Sequence, residues 1–187
     1  MVTGNPVRNI FKDCNIIRSE AIEFFDLRPE KKTVFIMGGS LGAKSINEAI
    51  AASIQIFKKH SIQLIWQTGK PFAEEAAKVA AEESFIWTNA FIDKMEYAYT
   101  AADVVVSRAG AMAIAELAVV GKPVVFVPYP FASEDHQTAN ARELVKADAA
   151  LMVNNSDAET KLVSTILALI NNNEQLVDLK KNISRFG

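Results

Sequence analysis

Cysteine is almost absent from this 187-residue chain. Cys14 stands alone, so no internal disulfide can form, as expected of a reducing compartment. Histidine is scarce too. His60 and His136 lie far apart, and neither has zinc-ligand spacing to a cysteine or a second histidine, so no metal is expected. Neither sign of charge is in excess: 20 basic against 22 acidic residues leave a formal charge of −2. Nucleic-acid surfaces bring a basic surplus, so nucleic acid is not an expected partner. Long hydrophobic runs are missing as well. Ala111–Val120, interrupted only by Glu116, falls well short of the ~20 residues that cross a bilayer. Arg8, Lys12 and Asp13 break any signal-peptide pattern at the start. Disorder is excluded by a composition that is 50% hydrophobic.

What remains is a regular alternation. Thr33–Met37, Ile62–Trp66, Ser84–Thr88, Asp103–Ser107, Pro123–Val127 and Ala149–Val153 read as strands, most of them continuous apolar runs. Between them the spacing predicts helices over Lys44–Lys58, Pro71–Ala81, Asp93–Ala101, Ala111–Val120 and Asp135–Lys146. Ser45 with Glu48, and Ser156 with Glu159, have the spacing of capping boxes. The helix after Ser156 breaks at Asn171–Asn173, before a last amphipathic stretch. Strands apolar on both faces and alternating with helices indicate an α/β fold, a parallel sheet covered on two sides. Residues 1–31 fit less well and read as a connector and lead-in, with a short element near Ile22–Asp26; residues 32–187 form the domain. The connector-like start and the unfinished Ser184–Gly187 end read as a fragment.

Ligands of an open parallel sheet bind beyond the carboxyl ends of its strands. After the first strand come Gly38, Gly39, Ser40, Leu41, Gly42 and Ala43, opening a helix. Closely spaced glycines and free helix N–H groups suit a phosphate, and equally a plain tight turn. The glycine spacing matches neither a dinucleotide fingerprint nor a Walker A loop. After the fourth strand, Arg108-Ala109-Gly110 opens a helix in which Glu116 is the lone charge. So apolar a helix should be largely buried, so the carboxylate needs a cleft or a dedicated partner. A ribose diol would suit it; a thin solvated stripe is the alternative. Beyond the fifth strand, Gln137 and Asn140 share a helix face, and their amides fit sugar hydroxyls or simply a solvated helix start. Phe85, Trp87, Phe91, Tyr97 and Tyr99 read as packing, and Cys14 has no activating motif.

Thr3–Arg8, Gly38–Ala43, Ser107–Ala111 with Glu116, and Asp135–Gln137 with Asn140 occur in an order that resembles the carboxyl-terminal half of the MurG family of peptidoglycan glycosyltransferases. The resemblance implies a Rossmann-like domain, one half of a GT-B enzyme. Such enzymes move N-acetylglucosamine from UDP-GlcNAc to the undecaprenyl-linked muramoyl-pentapeptide acceptor (lipid I), forming lipid II with inversion and without metal or cofactor. It implies a cytoplasmic protein, peripheral on the inner face of the bacterial plasma membrane, whose membrane contact and general base belong to the other half. By position, Arg8 would approach the uridine end, and Ser40 with Gly38, Gly39 and Gly42 the diphosphate. The Ile92 backbone would read the uracil edge. Ala111, Met112, Ala113, Ile114, Ala115 and Glu116 would wrap the nucleoside, with Glu116 on the ribose. Gln137 and Asn140 would hold the sugar. Some relatives have Ser at position 109 and a hydroxyl residue at position 113, where this chain has alanines, a loss that would weaken donor binding. The isolated chain is expected to bind UDP-GlcNAc weakly or not measurably, and to transfer nothing. Alternatives are a UDP-GlcNAc 2-epimerase half, a stand-alone sugar-nucleotide-binding subunit with a membrane partner, and a Rossmann-like domain with a vestigial site.

Overall fold

The computed structural model describes residues 15–38, 43–131 and 136–187. Expectations for Arg8, Cys14, Gly39, Ser40, Leu41, Gly42 and Asp135 lie outside the described residues. Six strands form one sheet: β1 (Thr33–Met37), β2 (Gln63–Gln67), β3 (Ile86–Asn89), β4 (Val104–Ser107), β5 (Val124–Phe126) and β6 (Leu151–Met152). Their order is β3-β2-β1-β4-β5-β6, and every pairing is parallel. This is the Rossmann-like order, in which the chain reverses its direction of travel between β1 and β4.

The continuous apolar strands follow from burial on both faces. Val34 and Ile36 of β1 join Leu64, Trp66, Val104 and Val106 in one layer. Phe35 and Met37 point the other way, joining Ile65, Val105 and Phe126. The first layer is covered by α2 (Lys44–Ala51), α3 (Ile54–Lys59), α4 (Ala73–Ala80) and α8 (Ala158–Ile170). The second is covered by α1 (Arg18–Phe24), α5 (Met95–Ala101), α6 (Ala111–Val120) and α7 (His136–Lys146). The last helix, α9 (Asn173–Ile183), serves both: Leu179 packs into the first layer and Ile183 into the second. No helix among the described residues is long and apolar enough to cross a membrane.

The lead-in before β1 is better ordered than its sequence suggested. Ala21, Ile22, Phe25 and Leu27 are buried in the second layer, and Phe25 meets Trp87 edge-on at 4.9 Å. Arg18 donates to the carbonyls of Pro29 and Lys31 and to Asp103 Oδ2 at 3.2 Å. The same carboxylate oxygen accepts the Thr33 N–H at 2.7 Å, tying the lead-in to the amino ends of β1 and β4.

Three local expectations are corrected. The single helix over Lys44–Lys58 is two helices, because the Ser53 N–H closes back on the Ile50 carbonyl at 2.9 Å and the chain turns before α3. Neither capping box forms. Ser45 lies inside α2, whose N-cap is Ala43, and its hydroxyl donates to Asn155 at 2.6 Å. Ser156 sits in a 3-10 turn, Asn155–Asp157, with its hydroxyl on Asp157, and Asp157 is the N-cap of α8. A tertiary or neighbouring acceptor displaces the local cap in both cases. Finally, α6 is not largely buried. Only Leu117 and Ala118 are, because the helix lies on the sheet by one side, and Met112 is 44% exposed.

Candidate functional site

The carboxyl ends of β1 and β4 are neighbours, with Met37 paired to Ser107. Parallel sheets open a crevice where the strand order reverses, and the segments after the strands line it. Gly38 follows β1. A Cβ on Gly38 would lie 2.9 Å from the Gln67 carbonyl oxygen, so the end of β2 already requires a glycine there. Gly110 differs. It has an ordinary φ of −69° at the N-cap of α6, and a Cβ there would meet nothing within 4 Å. Neither backbone nor packing accounts for that glycine, which leaves open space beside the switch.

One turn into α6, Glu116 is half-buried and accepts a hydrogen bond on Oε2 from the Tyr99 hydroxyl at 3.2 Å. Its Oε1 has no partner among the described residues. Ala113, Ile114 and Ala115 are half-buried, and Ala111 and Met112 are exposed along the same helix start. The carboxylate therefore combines a fixed tilt with one free acceptor edge.

Gln137 opens α7 and acts as a brace. Its Oε1 accepts from the Ala109 N–H at 3.2 Å and from the Tyr129 N–H at 3.0 Å. Those two amides belong to the segments after β4 and β5, so one side chain holds both together. Asn140 is half-buried one turn further on. Ile92 is placed differently. Its N–H donates to the buried Gln67 side chain at 3.0 Å, which leaves its carbonyl as its backbone group without a partner among the described residues. The site residues placed by the structure thus cluster from α6 to α7, with Ile92 beyond the end of β3.

Nothing in the local sequence around Arg108 announces a role for it. It is the first residue after β4, and its guanidinium is the centre of a network. Nη1 donates to the carbonyls of Val127 and Pro128 and to Asn155 Oδ1, the last at 2.7 Å. Nη2 donates to the Ser45 hydroxyl at 3.3 Å, and the group lies over the Tyr129 ring at 5.5 Å. Burial lowers its pKa to about 10, so it stays cationic at neutral pH. Asn47 was also missed. Buried in α2, it accepts from the Trp66 indole N–H and donates to the Thr68 carbonyl, each at 2.9 Å, fixing how α2 sits over the end of β2. A polar residue among the isoleucines of α2 was the available signal. Among the described residues, no three His, Cys, Asp or Glu side chains stand together as a metal site.

Residues 33–186 match the glycosyltransferase family 28 C-terminal domain. A relative from Parabacteroides distasonis is 47% identical over 185 residues, covering 98% of this chain and 50% of the relative. It is named UDP-N-acetylglucosamine--N-acetylmuramyl-(pentapeptide) pyrophosphoryl-undecaprenol N-acetylglucosamine transferase. A Flavobacterium psychrophilum protein of the same name is 41% identical over 187 residues, 100% of this chain and 51% of the relative. The crystal structure of Acinetobacter baumannii MurG superposes with a TM-score of 0.75 at 28% identity, over 99% of this chain and 52% of that one. The chain spans about half the length of the curated relatives it matches. With the family match running over most of its length and the same sheet underneath, the chain belongs to the glycosyltransferase family 28 C-terminal domain family, among relatives of MurG.

Proposed function

We propose that this chain is the donor-binding half of an inverting, metal-independent N-acetylglucosaminyltransferase that builds lipid II. Its ligand is UDP-GlcNAc, held over the β1/β4 switch. The observation that carries the reading is Glu116: a half-buried carboxylate in α6, tilted by Tyr99, whose Oε1 has no partner among the described residues. A vicinal diol donates two hydrogen bonds, and bonds to a charged acceptor are worth roughly 1.5–3 kcal/mol each. The ribose is placed there. The diphosphate then lies toward the start of α2, where the helix dipole and the first-turn N–H groups favour an anion. The sugar extends toward Gln137 and Asn140.

In the transfer, an acceptor hydroxyl oxygen attacks the anomeric carbon as the bond to the diphosphate breaks, inverting that centre. The hydroxyl proton passes to a base outside this chain, and the electron pair leaves with UDP. This chain's contribution is preorganised stabilisation of that leaving charge. The undecaprenyl-linked acceptor and contact with the inner face of the plasma membrane fall to the rest of the longer protein. Alone, the chain binds the donor weakly and turns nothing over.

An NMR-monitored titration with UDP, UDP-GlcNAc and UDP-glucose tests this. Saturable shifts centred on α6, weakened in Glu116→Ala, are expected, with UDP-GlcNAc preferred over UDP-glucose. No saturable binding at millimolar nucleotide, or equal binding by the variant, would refute the reading.

A further inference from the structure

The start of α2 is the expected seat of the diphosphate, yet the exposed lysine there is poorly suited to meet it. Lys44 is 85% exposed and already lies 3.6 Å from Glu48. The cation built into this edge is Arg108. Every partner of its guanidinium is neutral: two carbonyls, an amide oxygen, a hydroxyl and a tyrosine ring. No carboxylate among the described residues pairs with it. Its Nε–H and one Nη2–H have no acceptor among those residues either, although a guanidinium carries five donors. A partly buried cation without a counter-ion is costly unless an anion arrives. It sits directly after β4, beside the end of β1, and bonds Ser45 in the first turn of α2.

We propose that Arg108 is the fixed counter-charge for the diphosphate of the bound nucleotide, and that it positions the start of α2 toward that group through Ser45. The inference rests on the donor-binding reading and adds a residue to it. A neutral network holds the guanidinium in place before the ligand arrives, so little reorganisation is needed when negative charge grows on the leaving group. The fork also ties Asn155, after β6, and the carbonyls after β5 into the same unit. Arg108 is thus both a strut and a charge, and the two roles separate experimentally. A strut supports the nucleoside and the diphosphate alike. A counter-charge acts only on the diphosphate.

The test titrates uridine, UMP and UDP into the chain and into Arg108→Gln and Arg108→Lys, with a thermal melt of each. Arg108→Gln is expected to lower UDP affinity roughly ten- to hundredfold more than uridine affinity, the span of a hydrogen bond to a charged group. UMP should fall between. Arg108→Lys keeps the charge without the fork and should restore part of the UDP preference. The loss should also shrink the salt dependence of UDP binding. If Arg108→Gln does not fold, Arg108→Lys decides alone: a UDP-over-uridine preference that is reduced but not abolished supports the counter-charge, and an unchanged one overturns it. Equal losses for uridine and UDP would reduce Arg108 to a strut, and an unchanged UDP affinity would remove it from the site. Failure of the unsubstituted chain to bind any of the three would overturn the donor-binding reading and this inference with it.

Discussion

Replacing Asn47 with alanine should destabilise the chain by about 2–3 kcal/mol. The side chain is 1% exposed and makes two bonds, accepting from the Trp66 indole N–H and donating to the Thr68 carbonyl, both at 2.9 Å. Losing the bond to Thr68 costs about 1 kcal/mol, and stranding the indole N–H in the interior about 1.5–2.5 kcal/mol, within the range for an unsatisfied buried donor. Trp66 is 0% exposed, so water cannot rescue it. Alanine's better helix propensity returns roughly 0.5 kcal/mol. For a domain of this size the net loss corresponds to a fall in Tm of roughly 4–12 °C. Urea denaturation followed by far-ultraviolet circular dichroism is the suitable assay, since the substitution itself alters Trp66 fluorescence. Trp66→Phe in the same background supplies the second leg of a cycle. Once the indole N–H is gone, Asn47→Ala no longer strands it, so the double variant should be more stable than the sum of the two losses by about 1 kcal/mol or more. Strict additivity, or a single-variant loss under about 0.5 kcal/mol, would refute the account of Asn47 as the anchor of α2.

Three further outcomes follow from the same structure. Asp103→Ala leaves the wholly buried Thr33 N–H without its side-chain acceptor and Arg18 without its carboxylate partner, and should cost about 2–4 kcal/mol in chemical denaturation. Asp103→Asn, which keeps an acceptor oxygen, should cost clearly less. Lys122 has its pKa lowered from 10.5 to about 8, chiefly by burial and secondarily by Lys180. The unfolded chain holds that proton more tightly, so between about pH 8 and 10.5 the contribution of Lys122 to stability rises with pH. Relative to Lys122→Met, the unsubstituted chain should therefore gain stability from pH 7 to pH 10; a constant difference would contradict the shift. Gly121 ends α6 at a φ of +62°, and a Cβ there would lie 2.5 Å from the Ser184 hydroxyl. Gly121→Ala should lose about 1–2 kcal/mol to the left-handed backbone alone, and more from the contact. Adding Ser184→Ala should recover the contact part, which a thermal-melt comparison would read as non-additivity.

The strands and the parallel α/β class were legible because a strand buried on both faces needs an unbroken apolar run, and Thr33–Met37 and Asp103–Ser107 have little else to become. The element boundaries were less so. Val104 begins β4 one residue later than expected, and Asp103 stands at the strand's entry with its carboxylate on Arg18 and Thr33. Ser45 was read as half of a local cap because sequence shows only neighbours in the chain, and its partner, Asn155, is 110 residues away. Glu116 stood out as the lone charge in α6, but Tyr99 as its donor did not, since nothing local links α5 to α6. Arg108 was hidden for the same reason: its side-chain partners come from α2 and from the turn after β6. The two amides that Gln137 joins are likewise visible only once the loops after β4 and β5 are side by side.

Gln137 has its carbonyl oxygen engaged by two inward N–H donors, which settles the orientation of its amide without reference to any ligand. The NH2 must face outward, so a molecule resting against the first turn of α7 meets a giver of protons there and never a taker. That makes the residue a one-way reader, blind to a hydroxyl hydrogen and sensitive to a lone pair. A Gln137→Glu exchange would keep both inward bonds and reverse the polarity of the outward face, changing what the surface selects while leaving the loops where they are.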